Sequence, residues 1–199
     1  MRALPLFLLA AALGCEAAPD QEASSEAPAA ASEPEVPRLQ SDELTGLEEQ
    51  NVAFTLPWVG GPVNREPTPG ARVVALEGVE ALFEGAFDRV IYTFADSVFP
   101  GYNLEWMHAP PLDCRTQEPA QVAGTHFLRL RLLSVSDGGA SAPTPGEGGN
   151  LQGVALTCVG DGELEWHLGV AESGELRVVE MRNPQRLVVD LRRPGAGGS

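Results

Sequence analysis

The stretch Glu163-Leu164-Glu165-Trp166-His167-Leu168-Gly169-Val170 alternates apolar and polar side chains. Successive side chains of an extended chain point to opposite faces, so the four large apolar side chains share one face. The two glutamates and His167 share the other face. This alternation is typical of a β-strand with one face buried, and an outward His167 on such a strand is expected to be solvated.

The same period of two recurs along the chain, in Phe87–Phe94, His126–Leu133 and Arg186–Arg192. Short apolar runs between Gly, Pro, Asn and Asp residues predict five further strands, at Ala53–Leu56, Ala71–Leu76, Tyr102–Met107, Gly153–Cys158 and Glu175–Met181. Ala81–Phe87 is expected to hold a single helical turn. One-sided strands without a long amphipathic helix between them predict an all-β domain with antiparallel pairing, either a sandwich or a barrel.

Composition divides the chain into a tail and a domain. Residues 15–49 are rich in Ala, Glu, Ser and Pro, and between residues 16 and 50 Arg38 is the only base among many acids. Such a segment cannot bury enough apolar surface to fold, so it predicts a disordered acidic tether. The domain is expected at residues 51–193, with its core at 71–193 and a flexible C-terminus at 194–199. The net charge of −15 disfavours nucleic-acid binding, which needs a basic face.

The N-terminus carries Arg2, an apolar run from Ala3 to Leu13, and then Gly14-Cys15. The run is too short to span a bilayer, which needs about 20 apolar residues, and it is typical of a signal peptide over residues 1–14. Gly14-Cys15 resembles a bacterial lipobox. The resemblance implies cleavage before Cys15, a lipid on its thiol and anchoring of the exported protein to a membrane. The alternative is an ordinary secretory signal followed by a chance cysteine.

Three cysteines are present, and assigning Cys15 to lipid leaves Cys114 and Cys158. An even pair in an exported protein favours a disulfide, the alternative being two unrelated buried thiols. The cysteines lack CxxC-type spacing, and the three histidines, His108, His126 and His167, are dispersed. The sequence therefore predicts no metal site and no cofactor.

Three segments, taken in order, resemble the AMIN-like domain of bacterial envelope proteins. They are Phe87-Asp88-Arg89-Val90-Ile91-Tyr92-Thr93-Phe94 followed by Pro100-Gly101-Tyr102, then Val122 to Leu132, then Asn183 to Leu191. The resemblance covers about Ala71 to Arg193, and the chain departs from it in its Cys114 and Cys158 pair and in the stretch Ala109–Ala120. It implies an antiparallel β-sandwich in the cell envelope that contacts peptidoglycan, and it brings no catalytic residues.

Function is therefore expected to be binding. No HExxH, GxSxG, Walker-type or GxGxxG pattern occurs, so we expect no enzyme. Arg129 and Arg131 are the candidate ligand-binding residues, because arginine forks suit the carboxylates of peptidoglycan stem peptides. The alternative is that they pair with Glu163 and Glu165 on a neighbouring strand. Two other functions stay open: a protein–protein adaptor in an envelope complex, using a strand edge or the Trp58 region, and a small-ligand carrier or hydrolase on a barrel.

Overall fold

The computed structural model describes residues 51–193. The signal peptide at 1–14, the tether at 15–49, the lipid site at Cys15 and the C-terminus at 194–199 lie outside the described residues. Within residues 51–193 the chain forms eleven strands: β1 (Val52–Thr55), β2 (Val63–Arg65), β3 (Val74–Phe83), β4 (Phe87–Phe94), β5 (Gly101–Met107), β6 (His126–Leu133), β7 (Val135–Asp137), β8 (Leu151–Gly160), β9 (Glu163–Val170), β10 (Leu176–Met181) and β11 (Gln185–Arg192). No helix able to cross a bilayer occurs in that range.

The strands make two sheets. Sheet A has the order β1-β10-β11-β4-β3-β7, and sheet B has the order β2-β5-β6-β9-β8. Pairing is antiparallel throughout except for β3 and β7, which run parallel. The chain passes from sheet B to sheet A at Ser134, whose φ of 61° lies in the left-handed region, and Ser134 accepts a hydrogen bond from the Val74 amide at 3.0 Å. The predicted all-β antiparallel sandwich is confirmed, with this one parallel pair as the exception.

The core lies between the inward faces of the two sheets. Leu128, Leu130 and Leu132 of β6 and Leu164, Trp166 and Leu168 of β9 are fully buried, as the period of two predicts. Across the interface, the ring of Tyr92 on β4 meets that of Trp166 edge-on, with centroids 5.8 Å apart. Each large apolar side chain removed from water contributes about 1.5–3 kcal/mol. Burial of these alternating apolar faces therefore contributes a large favourable term to folding.

Long alternating segments were predicted most accurately. Phe87–Phe94, His126–Leu133 and Glu163–Val170 are strands with the predicted bounds. The helical turn expected at Ala81–Phe87 is wrong, because β3 continues to Phe83 and pairs with β4 as far as Asp88. The three-residue strands β2 and β7 were missed, since so short a run carries no visible alternation.

Sheet A departs from the expected pattern of one buried and one solvated face. Ile91, Val179, Met181 and Val188 point away from the core, yet they form a second buried apolar cluster, with Val52 packed against it. Arg89, Arg177 and Asp190 on the same outward face are also buried. Burial on both faces explains why β4, β10 and β11 contain more apolar residues than an alternating strand needs.

Candidate functional site

Sheet B presents a continuous row of polar side chains on its outward face. We refer to this surface as the sheet-B polar face; its members are Asn103, Glu105, Arg129, Arg131, Glu163, Glu165 and His167. They lie together because the register sets Arg129 between Glu105 and His167, and Arg131 between Asn103 and Glu165. Directly opposed residues on one face of an antiparallel sheet have Cβ atoms about 4.5–5.5 Å apart. The two arginines predicted from the sequence are thus part of one surface.

Arg131 forms a two-pronged ion pair with Glu163. Its Nε donates to Oε1 at 2.7 Å and its Nη2 donates to Oε2 at 2.9 Å. The hydrogen bond to Glu163 raises the pKa of Arg131 above its ordinary value. Both side chains keep more than a third of their surface exposed, 38% for Arg131 and 37% for Glu163. Solvent therefore screens this pair and limits its contribution to stability.

Arg129 lies deeper on the same face. Its Nη2 donates to the Glu105 carboxylate, and its Nη1 lies 3.9 Å from Oε2 of Glu165. Its Nε is buried and has no hydrogen-bond partner among residues 51–193. The alternative that the sequence offers, pairing with glutamates of the neighbouring strand, is present in the structure. Arg131 pairs with Glu163, and Arg129 lies near Glu165. Ligand binding by Arg129 and Arg131 stays a prediction.

His167 occupies the centre of the sheet-B polar face. It points outward as predicted, but the expectation that it is solvated is wrong, because only 1% of it is exposed. Strand β9 lies between β6 and β8, so Arg129 and Thr157 flank the ring from both sides; Nδ1 lies 2.9 Å from Oγ1 of Thr157. Burial, and then the charge of Arg129, lower the pKa of His167 to about 4. The ring is therefore neutral at pH 7.

A loop crosses one end of this face. The backbone of Ala123 lies so close to β9 that a Cβ on Gly169 would sit 1.9 Å from the Ala123 carbonyl oxygen. A Cβ on Gly153 of β8 would meet the Ala123 amide at 2.7 Å. Because both positions are glycine, the loop can lie directly against the sheet. The loop covers this end of the sheet-B polar face, so the open part is the end that carries Arg131 and Glu163.

The predicted disulfide is confirmed. Cys114 and Cys158 are bonded, with their Cα atoms 5.2 Å apart, so the alternative of two separate thiols is wrong. The Cys114 amide also donates to the carbonyl oxygen of Thr157 at 3.0 Å. The bond fastens the long β5–β6 connection to β8, at the edge of sheet B. This is the stretch in which the chain departs from the AMIN-like pattern.

A second charged cluster lies on the outward face of sheet A. Arg89 and Arg177 both donate to the Asp190 carboxylate, at 2.7 and 3.1 Å for Arg89 and at 3.0 and 2.6 Å for Arg177. Asp190 on β11 therefore joins Arg89 on β4 and Arg177 on β10, its two neighbouring strands. Asp88 plays a different part, since its carboxylate accepts the backbone amides of Asn150 at 2.6 Å and Leu151 at 2.9 Å.

Aromatic rings cover the guanidinium groups of this cluster. Trp58 packs edge-on against Phe87, with ring centroids 5.8 Å apart. Cζ of Arg177 lies 4.6 Å and Cζ of Arg192 lies 4.0 Å from the Trp58 ring. Such cation–π contacts contribute about 0.5–2 kcal/mol each. Trp58, in the region that the sequence offers as an adaptor surface, is half-buried by contacts within its own domain.

Fold and sites together define a two-sheet β-sandwich with a polar outward face on one sheet and a buried arginine–carboxylate cluster on the other. Comparison with family models matches residues 74–193 to the AMIN-like domain, and the chain belongs to that family. No curated protein and no solved structure matches it significantly. Membership of this family indicates a binding role associated with the cell wall or envelope, and a location in the envelope.

Proposed function

We propose that this chain is a non-catalytic, lipid-anchored protein of the cell envelope that binds peptidoglycan. The observation that carries the proposal is the match of an AMIN-like domain to the whole region from β3 to β11. The features of the N-terminus agree with it. A lipid on Cys15 would hold the protein to a membrane, and the acidic segment 16–49 would space the domain from the bilayer. A random coil of 34 residues spans roughly 30 Å, which suits a domain working away from its anchor.

The open end of the sheet-B polar face is the binding surface in this proposal. Peptidoglycan stem peptides carry carboxylates and amines, and Arg131 and Glu163 offer one charge of each sign side by side. An exposed ion pair contributes only about 0–1 kcal/mol, so a ligand carboxylate can replace Glu163 on Arg131 at small cost. The planar guanidinium then holds the new carboxylate by the same two hydrogen bonds.

Co-sedimentation of the purified full chain with isolated sacculi tests the proposal. We expect the wild-type protein to pellet with sacculi and Arg131→Glu to bind at least about tenfold more weakly, the loss of one charge-assisted contact. Arg72→Glu is the matched control, because it makes the same charge change at a side chain that is 71% exposed and paired with Asp96 elsewhere on the domain. Absence of wild-type co-sedimentation, where a known wall-binding domain pellets, refutes the function. Equal loss in both variants refutes the assigned surface alone.

A protein–protein adaptor is the second candidate, and one observation favours it. Leu112 and Val159, on the two segments that the disulfide joins, are 49% and 55% exposed. Exposed apolar side chains at a sheet edge are typical of contact sites for partner chains. Crosslinking in cells, with a photoreactive residue in place of Val159, would recover a specific partner in this case. The carrier or hydrolase on a barrel is less favoured, because large side chains fill the space between two open sheets.

A further inference from the structure

The outward face of sheet A carries a row of apolar side chains across its central strands. The register sets Val188 of β11 beside Val179 of β10 on one side and beside Ile91 of β4 on the other. Met181 occupies the next outward position of β10, and all four side chains are 6% exposed or less. We refer to these four residues as the sheet-A apolar row.

This row needs a cover that the opposite sheet does not supply, because its side chains point away from the core between the sheets. The ring of Trp58 lies over the neighbouring charged cluster, with Cζ of Arg177 4.6 Å from its centre. Among residues 51–193, Val52 is the partly buried apolar residue that packs against the row. The described part of the chain therefore begins at the row itself.

Residues just before Asn51 are within reach of the whole row. Val52 pairs with Met181, and the carbonyl oxygen of Asn51 accepts a hydrogen bond from the Arg182 amide at 2.7 Å. Leu47 precedes Val52 by five residues, which span at most about 18 Å when extended. Strands β11 and β4 lie two and three strands from β1, or about 10 and 14 Å at the usual strand spacing. Leu47 can thus contact any strand of the row.

The segment 39–50 contains the apolar side chains that such a cover requires. Its large apolar residues are Leu39, Leu44 and Leu47, whereas Val36 is the only large apolar residue between positions 16 and 38. Removing leucine side chains from water is favourable wherever they meet an apolar surface. Apolar residues in the tail are therefore concentrated next to the apolar row.

Charge favours the same placement. Met181 pairs with Arg186 and is followed by Arg182, so two arginines lie at the end of the row where the described chain begins. Nε of Arg186 is buried and has no hydrogen-bond partner within the described part of the chain. Glu48 and Glu49 come shortly before Asn51, and carboxylates are the preferred partners of guanidinium groups.

We propose that residues 39–50 of this chain dock on the outward face of sheet A and cover the sheet-A apolar row. Leu44 and Leu47 pack on the row, and the acids that follow Leu47 lie beside Arg186. The docking does not depend on the proposed function. In that function it attaches the tether to the side of the sandwich opposite the sheet-B polar face. Residues 16–38 then remain as the spacer, which spans roughly 26 Å as a random coil.

Photo-crosslinking of the purified full chain tests the contact. A benzophenone side chain in place of Leu47 should crosslink within one molecule, and digestion followed by mass spectrometry should locate the bond on β4, β10 or β11. The same side chain in place of Ala30 is the matched control and should give no comparable yield on those strands. Absence of a crosslink from position 47, a crosslink to another part of the domain, or one between two molecules overturns the proposal.

Urea unfolding of the full chain measures whether the contact stabilises the domain. Leu47→Asp should lower the urea midpoint by at least about 0.5 M, the effect of exposing one buried leucine at the usual dependence on urea. Val36→Asp makes a similar apolar-to-acid change outside the docked segment and should keep the wild-type midpoint. An unchanged midpoint in Leu47→Asp, or an equal decrease in both variants, overturns the proposal.

Discussion

Asp190 should be the most important single charge for the stability of this domain. Its carboxylate is fully buried and accepts four hydrogen bonds from Arg89 and Arg177, with distances between 2.6 and 3.1 Å. Asp190→Asn keeps the size of the side chain but removes its charge. The two buried guanidiniums then lose the carboxylate that they share, in a region with little access to water.

The expected cost follows from burial. Breaking a buried ion pair by neutralising one partner destabilises a protein by about 3–5 kcal/mol. Single domains have total stabilities of about 5–15 kcal/mol, so the variant should lose a large share of its stability. The matched control is Asp96→Asn, which neutralises the partner of Arg72 on the surface. The Arg72 side chain is 71% exposed, so solvent screens this pair and we expect a much smaller loss there.

Urea unfolding, followed by tryptophan fluorescence under non-reducing conditions, measures the effect. The free energy of unfolding should fall by the stated amount for Asp190→Asn, with an unchanged dependence on urea concentration. A loss below about 1 kcal/mol would contradict this expectation. It would mean that the two buried guanidinium groups do not need the Asp190 carboxylate as a partner. A loss in Asp96→Asn as large as in Asp190→Asn would show that burial does not determine the cost of removing a carboxylate charge.

Three further perturbations separate the contributions of other features. Replacing Cys114 and Cys158 by alanine opens a cross-link between residues 44 positions apart, which should lower the free energy of unfolding by about 4 kcal/mol on the chain-entropy model; an unchanged urea midpoint would contradict this. Burial lowers the pKa of His167 from 6.5 to about 4, so the unfolded chain takes up this proton first as the pH falls. The free energy of unfolding should then fall by about 3 kcal/mol between pH 6.5 and pH 4. This part of the pH dependence should vanish in His167→Asn. The same dependence of stability on pH in the variant would show that His167 is not its source. Cys15→Ala should release the protein from the membrane fraction with its domain folded, and a variant that stays with the membranes would disprove the lipid anchor.

Some features of the fold follow from local sequence patterns. The period of two in His126–Leu133 and Glu163–Val170 identifies both strands and their buried faces, because side chains of a strand alternate regardless of its neighbours. Two cysteines remaining in a chain expected to be exported predict the disulfide, since free thiols are uncommon outside the cytosol. Identifying Arg129 and Arg131 as outward residues follows from the same alternation.

Such patterns do not predict which residues of different strands lie next to one another. Arg177 reaches Asp190 because β10 lies beside β11, and His167 is buried because β6 and β8 flank it with Arg129 and Thr157. The short strand β7 exists because Ser134 turns the chain from one sheet into the other. Each of these facts depends on strand order, which no local pattern specifies.

The class of fold, the buried face of each long strand and the resemblance to the AMIN-like family can all be read from the sequence. These properties follow from local alternation, composition and motif order, and the family match over residues 74–193 agrees with them. Only the assembled sheets reveal that Asp190 is shared by two arginines and that His167 is buried. The physical reason is that burial and pairing depend on contacts between residues far apart in the chain, and these contacts form only when the two sheets assemble.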